Sequence, residues 1–144
     1  MKYAVGIVTG WILMLVCMYS MPVFTGHGTG SVLLTLTSWL PVEINIDLLN
    51  IIVRKSTHFI LYGALAVLLW RVLRKVKYAK QLAWMIATGC GVFDELCQSF
   101  IPSRTGVWYD VVIDSTGAFL FLLLASAIWN RKGKNAHAKE EGYV

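Results

Sequence analysis

Four long apolar stretches constrain the fold of this chain more than any other feature. They cover residues 3–24, 56–70, 81–100 and 111–129. A helix needs about 20 residues to cross the hydrocarbon core of a bilayer, and each stretch is that long or nearly so. The chain of 144 residues is also 57% hydrophobic and only 15% charged, whereas soluble domains are about 25% charged. The sequence therefore predicts an all-α integral membrane protein with four transmembrane helices.

The expected spans are about 3–24, 54–73, 80–100 and 108–130, within a single domain of residues 1–134. Residues 135–144 are expected to form a polar cytoplasmic tail. The first stretch is interpreted as a retained helix, because only Lys2 precedes it and no small-x-small cleavage site follows it.

The connection between the first two spans, residues 25–53, contains a further apolar run, Val32 to Leu40, that ends at Pro41. This run is too short to cross the membrane, so we expect it to lie in the interface or to re-enter partway. Asp47 is expected to cap a helix that starts near Leu48 and leads into the second span.

Basic residues predict the orientation of the chain. Because cytoplasmic loops are enriched in lysine and arginine, both termini and the middle loop should be cytoplasmic. The same residues should contact anionic lipids, and their position beside membrane spans argues against nucleic-acid binding. They are Lys2, then Arg71, Arg74, Lys75, Lys77 and Lys80, then Arg131, Lys132, Lys134 and Lys139.

Polar residues also interrupt the apolar stretches. Each charge in a membrane costs about 2.5–3.5 kcal/mol on insertion scales, so such residues are usually paired or functional. With the predicted topology, all of them come to the outer ends of their helices. The groups are Lys55, His58 and Tyr62, preceded by Arg54; Asp94, Glu95, Gln98 and Arg104; and Asp110 with Asp114.

Their spacing puts most of these residues on single helix faces. Lys55, His58 and Tyr62 stand at i, i+3 and i+7, which forms one stripe. The stripes of the other two helices include small residues that allow close helix approach: Ala87, Gly91, Asp94 and Gln98 on one, and Asp110, Asp114 and Gly117 on the other. We expect a polar chamber open to the outside. Glu95 lies about 100° from Asp94 around its helix and is expected to face a neighbour or the interface.

The same residues resemble the VanZ-like family of membrane proteins. The resemblance covers roughly residues 50–120, and two positions depart from it: Asp114, where the family often has asparagine, and Ser103, where glycine is common. The matching motifs are Lys55-x-x-His58-Phe59-x-x-Tyr62, then Asp94-Glu95-x-x-Gln98-x-Phe100-x-Pro102-x-Arg104, then Asp110 and Gly117.

The resemblance implies a small multi-pass protein of the bacterial cell membrane. The family takes its name from a member linked to glycopeptide resistance, chiefly against teicoplanin. It implies no established catalytic mechanism, so whether this protein is an enzyme stays open.

Candidate chemical roles follow from residue type. His58 beside Asp94 or Asp114 could act as a general base. Ser56, Thr57 and Ser115 are candidate nucleophiles only by proximity, because none lies in a recognisable elbow. Arg104 is suited to binding a phosphate or carboxylate. No short metal-ligand motif is present, so neither a metal nor another cofactor is expected.

Three functions remain open. The chamber could bind or modify an envelope lipid, a lipid-linked cell-wall precursor or an amphiphilic glycopeptide antibiotic. It could instead only hold the helices together in a protein that binds a membrane partner or a second copy of itself. A proton- or cation-coupled path is less favoured, because the inner halves, residues 65–70 and 119–129, are almost wholly apolar.

Overall fold

The computed structural model describes the backbone of residues 2–20, 26–41, 44–100 and 108–141, and the side chains of residues 3, 5–14, 27–41, 44–100 and 108–131. Within these ranges the chain forms five α-helices and no strand, as the all-α prediction requires. The helices are α1 (Lys2–Ser20), α2 (Gly26–Thr37), α3 (Ile46–Leu73), α4 (Ala79–Ser99) and α5 (Trp108–Glu141).

Two of these helices, α3 and the α5 segment Trp108–Arg131, are long and apolar enough to cross a membrane. The α4 helix has sufficient length, but the polar residues on its buried face lower its apolar content. In α1 the apolar segment is Val5–Met14. Length and composition thus identify two candidate spans, and the four-span arrangement stays a prediction.

Helices α3, α4 and α5 pack against one another as a three-helix bundle, and α1 and α2 contact α3. Short loops make neighbouring helices antiparallel, so the start of α3, the end of α4 and the start of α5 share one end of the bundle. The apolar core below that end is built from leucine and alanine side chains and one tyrosine. It consists of Tyr62, Leu65, Ala66, Leu69 and Leu73 on α3, Ala83 and Ala87 on α4, and Ala118 and Leu122 on α5.

The bundle buries polar side chains and exposes large apolar ones. On α4, Asp94, Glu95 and Gln98 are buried, whereas Phe93 and Leu96 on its other face are more than half exposed. A water-soluble bundle favours the reverse pattern, because burying apolar area drives its folding. The distribution fits helices whose outer faces contact lipid.

Aromatic and basic residues meet at the other end of the bundle. The guanidinium of Arg74 lies 5.6 Å from the ring centroid of Trp129, and Lys80 Nζ lies 5.6 Å from that of Trp70. Such cation–π pairs contribute about 0.5–1 kcal/mol at exposed sites. We refer to these four residues as the basic end.

One local expectation is corrected, namely which residue caps α3. Asn45, not Asp47, caps α3: its side-chain oxygen accepts a hydrogen bond from the Leu48 amide at 3.0 Å, and Asp47 lies in the first turn. The connection after the first span is helical over Gly26–Thr37, so the helix starts before the apolar run. Helix α5 continues to Glu141, into the segment expected as a tail, because alanine, lysine and glutamate favour helix there.

Candidate functional site

Three helices bring four of the candidate residues together at one end of the bundle. His58 on α3 lies between two carboxylates: its Nδ1 is 3.4 Å from Asp114 Oδ1 on α5 and 3.8 Å from Asp94 Oδ2 on α4. Glu95 on α4 completes the group. We call His58, Asp94, Glu95 and Asp114 the acidic cluster.

Burial makes the acidic cluster energetically unusual. The three carboxylate residues are 2%, 6% and 0% exposed for Asp94, Glu95 and Asp114, respectively. A carboxylate without water costs several kcal/mol unless hydrogen bonds or opposite charge compensate. Gln98 supplies part of this compensation, because its Nε2 donates to Asp94 Oδ2 at 3.2 Å.

Glu95 belongs to the cluster although it lies off the Asp94 stripe. It was expected to face a neighbour or the interface, and its burial agrees with the first alternative. Single nitrogen or oxygen atoms of His58, Asp94 and Glu95 all lie within 4.8 Å of one another. The face of α4 covered by two neighbouring helices is wide enough to include both adjacent carboxylates.

An ion pair stands at the edge of the cluster, one turn before His58 on α3. Lys55 Nζ donates to Asp110 Oδ1 on α5. The two side chains are partly exposed, so this rim pair adjoins the surroundings while the acidic cluster lies behind it. Opposite charges on the two helices help to align α3 with α5.

Tyr62 closes the cluster on the core side. It is buried, and its ring centroid is 6.1 Å from that of His58 and 6.0 Å from that of Trp11 on α1. The contact with Trp11 is edge-to-face, a favourable arrangement for aromatic pairs. Tyr62 therefore links the cluster to α1 and separates it from the leucines below.

Gly91 allows Asp114 to approach α4. A Cβ at Gly91 would lie 3.0 Å from Asp114 Oδ2 and 3.2 Å from Asp114 Cβ. These distances are tighter than ordinary van der Waals contact, so the carboxylate would have to move if a side chain were present. The predicted small-residue stripe on α4 thus positions a polar residue of α5.

The remaining described candidates, Arg54, Thr57 and Ser115, are not part of the acidic cluster. Arg104 falls outside the described residues, and Arg54 is only partly buried on α3. Thr57 Oγ1 donates to the Val53 carbonyl at 2.8 Å, which is a local helix contact. Ser115 Oγ accepts from Thr88 Oγ1 at 3.1 Å, and its carbonyl accepts from Trp84 Nε1. Ser115 thus joins α4 to α5.

A surface groove of about 450 Å³ runs beside the rim pair between α3 and α5. Its polar side is formed by Lys55 and Ser56, and its apolar side by Phe59, Ile60 and Ile113. A cation next to an apolar wall matches a molecule with a polar head and a hydrocarbon chain.

The arrangement supports binding chemistry directly. The cluster can hold a cation or accept hydrogen bonds, and the rim lysine can contact an anionic group. The carboxylates beside His58 could also orient its imidazole ring as a general base. Two of the candidate nucleophiles have hydroxyl groups that are already hydrogen-bonded. Thr57 donates within its own helix, and Ser115 accepts from α4.

Comparison with protein-family models gives a match over most of the chain. A family model described as VanZ/LLP1 matches residues 4–130, which extends the expected resemblance to α1 and through most of α5. Neither a curated protein nor a solved structure matches the chain.

Proposed function

The chain belongs to the VanZ/LLP1 family, and on that premise we propose that it binds the phosphate-bearing head of an envelope lipid or lipid-linked cell-wall precursor. The protein sits in the bacterial cell membrane as a four-span protein with both termini in the cytoplasm. The acidic cluster and the rim pair then open to the outer face, and the exposed apolar faces of the bundle contact lipid.

The observation that carries this proposal is the groove beside the rim pair. Lys55 stands at one edge of it, and Phe59, Ile60 and Ile113 form an apolar wall. A lipid could lay its chain along this wall and place its phosphate at Lys55. Arg104, expected in the loop before α5, would add a second cation able to bind phosphate in bidentate fashion.

Antibiotic tolerance would follow if the antibiotic and this protein compete for the same cell-wall precursor at the outer face. The alternative is that the groove binds the glycopeptide directly. Precursor binding and glycopeptide binding differ in which molecule stays bound to the purified protein.

A transport path has less support. Below Tyr62 the described core is apolar from Leu65 to Leu69 on α3 and from Ala118 to Leu122 on α5. An ion crossing this layer would lose its hydration without polar replacement, which costs many kcal/mol. The cluster therefore functions as a binding site reached from one side.

Native mass spectrometry of the full chain, purified in mild detergent, tests the proposal. The wild type should retain a lipid phosphate, and Lys55→Ala and Arg104→Ala should each reduce the retained fraction several-fold. Lys75→Ala is the control for unspecific headgroup contact, because Lys75 is an exposed basic residue just beyond the opposite end of α3.

Three results would contradict lipid binding. One is equal lipid retention by Lys55→Ala, Lys75→Ala and the wild type at similar folded yield. Another is co-purification of a protein partner in place of a lipid, which would favour the structural, partner-binding function. The third is retention of added teicoplanin in place of a lipid phosphate, which would assign the groove to the antibiotic.

A further inference from the structure

A groove of about 210 Å³ lies between α4 and α5, toward the end of the bundle opposite the acidic cluster. Its polar residues are at the start of α4, and the rest of its lining is apolar. The lining consists of Lys80, Gln81 and Trp84 on α4 and of Phe119, Leu122 and Leu123 on α5. The groove therefore has a polar mouth at the basic end and apolar walls beyond it.

The apolar walls of this groove are held in place by contacts between the two helices. Trp84 Nε1 donates to the Ser115 carbonyl at 3.1 Å, so the polar atom of the indole is already bound to α5. The Trp84 ring lies edge-to-face against Phe119, with the ring centroids 6.5 Å apart. Trp84 is nevertheless 39% exposed, and Phe119 is 50% exposed. These two rings thus form a preformed apolar surface that a hydrocarbon chain can cover without rearrangement.

The charge around the polar mouth has one sign. Residues 65–93 and 115–131, which include this end of the three-helix bundle, contain no aspartate or glutamate. Lys80 Nζ lies 5.6 Å from the ring centroid of Trp70, a contact that does not neutralise its charge. The groove is therefore complementary to an anion at Lys80 and to an apolar chain beyond it. The basic residues of the two segments are Arg71, Arg74, Lys75, Lys77, Lys80 and Arg131.

The size of the groove decides among ligands. Sites that enclose a drug-sized molecule have volumes of about 300–1,000 Å³, so this smaller groove holds one hydrocarbon chain and not a whole amphiphile. Trp84 lies one turn beyond Lys80, about 6 Å along α4 at 1.5 Å per residue. This spacing suits a charged head followed directly by a chain. Inorganic phosphate would leave the apolar walls uncovered, and a zwitterionic lipid would bring a further positive charge to a basic surface.

From these observations we propose that the groove binds one anionic phospholipid, with its phosphate at Lys80 and an acyl chain against Trp84 and Phe119. In the proposed four-span orientation this lipid belongs to the cytoplasmic leaflet, whose anionic lipids bind basic pockets between membrane helices. The site is separate from the groove at Lys55, which lies between α3 and α5. General attraction to a membrane surface needs only basic residues, whereas this site also needs the groove.

Native mass spectrometry of the delipidated full chain tests the site, with phosphatidylglycerol and phosphatidylcholine of identical acyl chains as probes. The wild type should bind phosphatidylglycerol several-fold more tightly than phosphatidylcholine. Lys80→Gln should remove most of this preference, because it removes the cation at the mouth of the groove. Lys77→Gln is the matched control: it removes the same charge three residues away, but Lys77 lies over the Tyr78 ring and does not line the groove. This control should keep the preference.

A second pair of variants tests the walls of the groove. Leu123→Trp should fill the groove and weaken the binding of phosphatidylglycerol several-fold. Because Leu123 is itself half exposed, the larger ring does not have to enter the core. Leu124→Trp is the control, because Leu124 is 65% exposed and lies outside the groove lining. It should bind the lipid as the wild type does, with a similar Tm in the same detergent.

The site is refuted if the wild type binds the two lipids equally, or if Lys77→Gln loses as much preference as Lys80→Gln. Equal binding by Leu123→Trp and Leu124→Trp would refute it as well. A dimer that Leu123→Trp disrupts would assign the groove to a second copy of the chain instead. The test is independent of the proposed function: Lys55→Ala should keep the preference for phosphatidylglycerol, and Lys80→Gln should keep the lipid that Lys55→Ala loses, so each proposal can fail alone.

Discussion

At the residue scale, Asp114 shows what burial does to a polar side chain. It is fully buried, contacts His58 through one oxygen and lies against Gly91 with the other. Sequence position correctly placed it inside the bundle, because it stands one turn after Asp110 on the polar stripe of α5. Its exact partners depend on how closely α4 approaches, which only the packed structure shows.

Asp114→Asn should leave the free energy of unfolding unchanged or raise it by up to about 2 kcal/mol. The amide has nearly the same volume but no charge to desolvate, and Asp94 remains beside His58. Thermal unfolding in detergent measures the effect.

Asp114→Ala serves as the comparison, because it also removes the charge but leaves a cavity and should lower the Tm. Equal loss of stability in both variants would mean that the charged contact with His58 outweighs the cost of burial.

At the element scale, small residues determine how closely the helices pack. A Cβ at Gly117 on α5 would lie 3.0 Å from the carbonyl carbon of Phe59 and 3.1 Å from its Cα. The glycine stripes were predictable from helical spacing, since small residues recur one turn from polar ones. For Glu95, spacing left two alternatives, a neighbour or the interface, because it describes one face of α4 and not the width covered by α3 and α5 together.

Gly117→Ala should destabilise the bundle by about 1–3 kcal/mol, because the added methyl meets backbone that cannot rotate away. Gly89→Ala on α4 is the control: nothing lies within 4 Å of its Cβ position, so it should be neutral or stabilise the helix by about 0.5–1 kcal/mol.

Thermal unfolding of both variants in one detergent checks the comparison. A Gly117→Ala variant as stable as Gly89→Ala would mean that α3 and α5 pack less closely than described.

At the scale of the whole molecule, the all-α fold and the meeting of the polar groups at one end of the bundle could be predicted from the sequence. The number of spans and the orientation, which rest on apolar length and on the positions of lysine and arginine, stay predictions. The residue that caps α3 and the last residue of α5 could not be predicted from the sequence. At each of these helix ends, several neighbouring residues are equally suited to the same position. Asn45 and Asp47, for example, are both good capping residues.

Orientation is tested by thiol labelling in a variant with its cysteines changed to serine. A single cysteine introduced by Trp108→Cys, at the start of α5, should react with an impermeant maleimide in intact cells. One introduced by Lys77→Cys should react only after permeabilisation, because its loop is predicted to be cytoplasmic. The reverse pattern would place the acidic cluster at the inner face.

The basic end also relates the acidic cluster to membrane thickness. Trp70 follows His58 by twelve positions, or about 18 Å along α3 at 1.5 Å per residue. Tryptophan and basic side chains prefer the headgroup level, so we expect Trp70 with Lys80 and Trp129 with Arg74 to hold one end of the bundle there. In the proposed four-span arrangement, a bilayer of longer acyl chains should place the cluster deeper below the opposite headgroups. Acyl-chain length in the host membrane should then determine how far a polar molecule must descend to reach the cluster.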